Sequence, residues 1–127
     1  MPKIVRLHAD SEQPLSQTYV RQNLETEQWG KLVHADKQRP HNELTSEPGK
    51  SYLLASVDAQ ELFNKYAGTG ELQRDHRKRF INIELVQADF YVGIAVNEGK
   101  RKLTKRFKIH HPKNRTHIVP YSKPGSE

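Results

Sequence analysis

The stretch Leu103-Thr104-Lys105-Arg106-Phe107-Lys108-Ile109-His110 decides the fold class, together with Thr116-His117-Ile118-Val119-Pro120-Tyr121 beyond it. Leu103, Lys105, Phe107 and Ile109 alternate with Thr104, Arg106, Lys108 and His110. A period of two is that of a pleated strand, because successive side chains leave opposite faces. His111-Pro112-Lys113-Asn114 carries turn chemistry between the two segments. Working backwards, Asn97-Glu98-Gly99-Lys100 is a hairpin signal. Before it, Phe90, Val92, Ile94 and Val96 alternate, as do Ile81, Ile83 and Leu85. Strands are thus expected over residues 80–86, 90–96, 103–110 and 116–121, forming one antiparallel sheet. Upstream the period lengthens. Asp58, with Glu61 three residues on, opens a helix that carries Leu62, Phe63 and Tyr66 and stops at Gly68 and Gly70. Leu15, Tyr19, Val20 and Leu24 mark a second helix between Ser11 and Gln28, ended by Gly30. Between the helices, Lys31 to Lys50 reads as a long polar loop, and long loops in small domains are often functional. The fold class is α+β: N-terminal helices followed by a four-stranded antiparallel sheet.

A chain of 127 residues is the size of one domain. Leu, Ile, Val and Phe make up 29 of them, enough for a modest core. No apolar run approaches the roughly 20 residues of a membrane helix, and no signal peptide follows the basic N-terminus, so a soluble, cytoplasmic protein is expected. The absence of cysteine excludes disulfides, thiolate nucleophiles and cysteine zinc sites. Charge is unevenly spread. Residues 1–98 carry 12 Lys/Arg against 14 Asp/Glu, whereas residues 99–127 carry 9 against Glu127 alone. A field of one sign suits a polyanion, and the alternation puts Arg106 and Lys108 on one sheet face as candidate phosphate contacts.

Two histidines stand beside cations: His41 in the polar loop near Lys37 and Arg39, and His117 next to Thr116 and near Arg115. Cleaving RNA with its own 2′-hydroxyl needs a base for that proton, an acid for the leaving 5′-oxygen, and cations or donors for the charged phosphorane. Two histidines with Lys, Arg and Thr fill these roles without a metal or other cofactor. With unperturbed imidazoles the pH profile is a bell centred near neutrality. His110-His111-Pro112 with Asn114 superficially resembles the start of a histidine-metal finger. The alternation and Pro120 that follow favour a strand over the helix such a finger needs, so His110 and His111 read as surface residues at a hairpin.

Four pieces, Lys37-Gln38-Arg39-Pro40-His41, Gly49-Lys50-Ser51-Tyr52-Leu53, the helix from Gln60 to Gly70, and Thr116-His117-Ile118-Val119-Pro120, occur in that order. In them the sequence resembles the polymorphic toxin type 50 domain, a predicted ribonuclease of the barnase, EndoU, colicin and RelE-like superfamily also found in phage-encoded proteins. The resemblance implies that Lys37, His41, Thr116 and His117 are catalytic and that Ser51 is the small hydroxyl residue after Gly-Lys. Arg115 stands where the family commonly has glycine and joins Ser51, Arg106 and Lys108 as a substrate-binding candidate, while Arg79 is the choice for a catalytic arginine. The first 33 residues lie outside the resemblance. The expected organisation is a helical extension, 1–33, packed as one unit with a catalytic domain, 34–127. The function implied is a metal-independent endoribonuclease that leaves a 2′,3′-cyclic phosphate, with RNA as substrate and an acidic immunity or inhibitor protein as partner. The alternatives are a non-catalytic nucleic-acid-binding module and a phage accessory protein on the same scaffold.

Overall fold

The computed structural model describes residues 12–112 and 115–122. Helix α1 spans Glu12–Glu25, and a short helix α2, Ala35–Gln38, runs into 3-10 turns at Arg39–His41 and Glu43–Thr45. Strand β1 is Tyr52–Leu53, and helix α3 is Ala59–Tyr66. Strands β2 (Glu71–Arg74), β3 (Phe80–Gln87), β4 (Gly93–Asn97), β5 (Lys100–Thr104), β6 (Arg106–His110) and β7 (His117–Pro120) follow. The architecture is α+β, with antiparallel pairing throughout the named strands.

Helix α3 forms for the reason its sequence gives. The Asp58 carboxylate accepts the Glu61 amide at 2.9 Å and so caps the first turn, while Leu62 and Phe63 fall on the buried side. The β4–β5 hairpin closes through Glu98 and Gly99, whose φ angles of 53° and 80° match the positive-φ turns that suit hairpin twist.

The strands do not form one sheet. A four-stranded sheet runs β2-β3-β6-β7, and a separate three-stranded sheet runs β1-β4-β5. The expected strand 103–110 is broken at Lys105, which divides it between the two. Thr104 is the reason. Its hydroxyl donates to the Tyr121 carbonyl at 2.8 Å and accepts the Arg106 amide at 3.0 Å, replacing ladder partners with a side chain. The alternation slips by one residue there, so that Thr104 is buried while Leu103 is 43% exposed. Likewise the strand expected from residue 90 begins only at Gly93, and Phe90 and Tyr91 are exposed. The fourth strand of the larger sheet is β2, where the sequence shows no strand. Of the expected 111–114 turn, Lys113 and Asn114 lie outside the described residues, as does Ser11 at the start of the first helix.

The core lies between α3 and the inner faces of both sheets: Leu53, Leu62, Phe63, Val86, Val92, Phe107, Ile109 and Ile118. The sheets meet at Gly93, where a Cβ would stand 2.5 Å from the Tyr52 oxygen and 2.6 Å from Pro120 Cγ. A smaller cluster of Val20, Trp29 and Leu72 holds α1 against β2. Among the described residues, no helix is long and apolar enough to cross a membrane.

Candidate active site

The segment that reads as a polar loop is stitched between the edges of the two sheets. His34 caps α2 by accepting the Lys37 amide on Nδ1, and its own amide donates to the Thr116 carbonyl at 2.7 Å. Gln38 is buried and clasps the free edge of β7. Its Nε2 donates to the Ile118 carbonyl at 2.9 Å, and its Oε1 accepts the Ile118 amide at 2.7 Å. Four residues on, Asn42 bridges to Leu53 on the edge of β1. The side chain of Gln38 thus pairs with β7 as a neighbouring strand would, and the turn that follows carries His41 to the N-terminal end of β7.

There three imidazoles stack. The His110 and His117 rings are 4.4 Å apart at 8°, and His41 follows at 5.8 Å from His117 and 19°. His110 and His117 face each other because they are cross-strand partners on β6 and β7. Two of the three rings, His41 at one end of the stack and His117 at its centre, are oriented by backbone carbonyls: His41 Nδ1 donates to Ser51 O at 2.8 Å, and His117 Nδ1 donates to Arg115 O at 2.7 Å. A carbonyl only accepts, so each Nδ1 carries hydrogen and each neutral ring keeps Nε2 as its available lone pair. Burial pushes all three rings below the ordinary 6.5. For His41 the Ser51 carbonyl opposes this while Lys50 adds to it. For His117 the Arg115 carbonyl opposes it, while the charges of His41, Lys37 and Arg115 add to it. His110, half-buried and close to the charges of His117, Lys108, His41 and His111, is pushed down to about 4, chiefly by desolvation. The stack therefore resists holding more than one positive charge, which couples the titrations of its members.

The other sequence-derived candidates divide. Lys37 is exposed on α2, and its charge reaches His117. Ser51 is half-buried and positions its neighbours: its carbonyl holds His41, and its hydroxyl accepts the Val96 amide at 2.9 Å. Arg115 is exposed and supplies the carbonyl that orients His117. Arg106 and Lys108 share the sheet face of His110 and His117, four and two residues along β6 from His110 respectively. Two expectations need correction. Thr116 does not face the cleft: it is fully buried, with its hydroxyl directed at the Pro112 carbonyl, 3.3 Å away, because it falls on the inward side of the alternation with Ile118. Arg79 closes the turn between β2 and β3 by pairing with Asp75 at 3.2 Å, so its contacts belong to that turn.

His110 and His111 are not surface residues. His110 is part of the stack. His111 is fully buried, 2.8 Å through Nε2 from the Glu84 carboxylate, and stacks on Trp29 at 4.6 Å. Glu84 in turn accepts the amides of Gly68 and Gly70, at 2.9 Å and 2.7 Å, at the end of α3. Sequence reasoning also assigned no role to Gln38, although it lies in the Lys37–His41 motif. A glutamine inside a motif that must dock a loop was the signal available. Among the described residues, no group of three His, Cys, Asp or Glu side chains is arranged to hold a metal ion.

Residues 33–120 match the family model described as bacterial toxin 50. No curated protein matches the chain.

Proposed function

The chain belongs to the bacterial toxin 50 family, and on that premise we propose that it is a toxin-like endoribonuclease acting by 2′-hydroxyl attack. The observation that carries the reading is the meeting of His41 and His117, brought from a loop and a distant strand into one stack, each with Nδ1 tied to a carbonyl. One neutral Nε2 removes the 2′-hydroxyl proton as O2′ bonds to phosphorus. The other ring, protonated, delivers its Nε2 hydrogen to O5′ as the P–O5′ bond breaks. The products are a 2′,3′-cyclic phosphate and a 5′-hydroxyl, with protons balanced between the two rings. Lys37 and Lys108 supply positive charge for the phosphorane oxygens. An acidic inhibitor fits the basic C-terminal quarter, and its association should weaken as salt rises.

The test is incubation of the full chain with total RNA in chelator, followed by analysis of the fragment ends. Cyclic phosphate and 5′-hydroxyl ends are expected. Intact RNA, or fragments with 3′-hydroxyl ends, would overturn the reading, and retention of RNA without cleavage would leave a binding module in its place.

A further inference from the structure

The outer face of the larger sheet is a grid whose rows follow from strand register. His110 and His117 share one row with Ile83. The next row is Glu71, Leu85, Lys108 and Val119. The third pairs Gln87 with Arg106, whose carbonyl accepts the Tyr121 amide at 3.1 Å and extends the row to Tyr121. Four residues of strand, about 13 Å, separate His117 from Tyr121. At that far end the face is hollow, with a cavity of about 530 Å³ lined by Glu71, Leu85, Gln87, Arg106 and Tyr121 among others. Lys108 sits between the two ends, its Nζ 5.4 Å from the centre of the Tyr121 ring.

We propose that this cavity is a nucleobase subsite for the RNA cut at the histidine stack, favouring guanine. The inference rests on the endoribonuclease reading for its substrate and adds where a base beyond the scissile phosphate is held. Recognition of a splayed base needs a ring to stack on, groups for its edge and a cation for the adjoining phosphate. Tyr121 offers the ring, and Arg106 and Lys108 offer the cations along the path from the histidines. Glu71 and Gln87 offer the edge contacts. The pairing of a carboxylate with a base is selective, because guanine presents two adjacent donors, N1–H and the 2-amino group, whereas uracil presents one. A phosphate alone would not account for a carboxylate in the lining.

The experiment uses the full chain with short 2′-O-methyl oligonucleotides, which bind without being cut, labelled for fluorescence anisotropy and varied one base at a time. A guanine at one position should bind roughly tenfold more tightly than uracil there. Tyr121→Ala should weaken the guanine oligonucleotide roughly ten- to hundredfold, the scale of losing one base stack, with Tyr121→Phe restoring most of it. Glu71→Gln should remove the guanine preference with little effect on the uracil oligonucleotide. Equal affinity for all four bases at every position, or undiminished binding by Tyr121→Ala, would overturn the subsite. Cleavage of ordinary RNA is read separately. Base-selective binding with no cleavage would sink the endoribonuclease reading and leave the subsite, while cleavage without selectivity would do the reverse.

Discussion

At the scale of single residues, the site is governed by how the three imidazoles share charge. His41 and His117 each present Nε2 outward from a carbonyl-anchored ring, so replacing either with alanine should lower cleavage by about a hundredfold or more, with or without chelator. Parent-like rates in a folded double variant would remove both from the mechanism. In the proposed mechanism the productive form has one ring neutral and one protonated. Because both pKa values are depressed from 6.5, that form is most abundant on the acid side of 6.5 rather than at the neutrality that unperturbed imidazoles imply. A bell-shaped profile of kcat/KM centred below 6.5 is expected, and an optimum above 7 would contradict the buried stack. His110 has a consequence for stability. Its folded pKa of about 4 lies below its unfolded 6.5, so between those values the unfolded chain binds more protons, and stability falls as pH falls through that window. His110→Phe keeps the stacked ring and abolishes this titration. It should remove on the order of 1 kcal/mol of the acid loss, a figure kept well below the full shift because the ring is partly exposed. Urea midpoints at pH 7.5 and 4.5 read this directly, and an unchanged difference between them would count against it. His41 and His117 were legible from residue types and motifs. His110 was not, because a histidine beside a turn looks solvated until its cross-strand partner is known.

At the scale of elements, Gln38 joins what the chain separates. Its two bonds to Ile118 are buried, and the same turn carries Lys37 and His41. Gln38→Ala would leave the Ile118 amide and carbonyl without partners, costing about 2–3 kcal/mol. It should also lower kcat, by loosening His41 from the stack. Denaturation and steady-state rates on the same preparation check both effects, and a stable variant with parental kcat would show that the clasp positions nothing. The elements differ in how plainly the sequence announced them. Helix α3 was legible because a cap, a 3.6-residue period and a glycine stop agree. Strands β3, β4 and β7 showed a clear period of two over at least part of their length. The division of 103–110 was hidden, since Lys105 in the otherwise apolar set reads as one polar exception within a continuous strand, and only the Thr104 hydroxyl, bonding to Tyr121 far along the chain, reveals that the phase changes. β1 has two residues and β2 has one buried apolar side chain, Leu72, so neither carries a pattern to read.

At the scale of the molecule, α1 and Trp29 lie outside the region matched by the family model yet close over its sheet. Tyr19 packs on Trp29 and Phe80, at 5.8 and 5.6 Å, and Gln17 donates to the Thr69 carbonyl. Trp29 then covers His111, whose Nε2 meets Glu84, and Glu84 holds the backbone after α3. One chain of contacts therefore runs from the N-terminal helix through a buried polar pair to the end of the core helix. His111 adjoins His110, so the same chain ends beside the stack. We propose that the extension and the domain fold as one unit, and Trp29→Ala tests it. Loss of a nearly buried indole, with exposure of a buried histidine and carboxylate beneath it, should cost about 3–5 kcal/mol and lower Tm accordingly. Assayed well below its Tm, the variant should retain most of its cleavage rate, because Trp29 touches none of the reacting groups. His41→Ala should show the opposite pair of effects, a parental Tm with cleavage lost. If Trp29→Ala melted with the parent, the N-terminal segment would be a passive appendage. If it instead lost activity while fully folded, the stack would depend on the Glu84–His111 pair for its geometry, and acid–base competence would belong to the whole fold rather than to the loop and strand that carry the histidines.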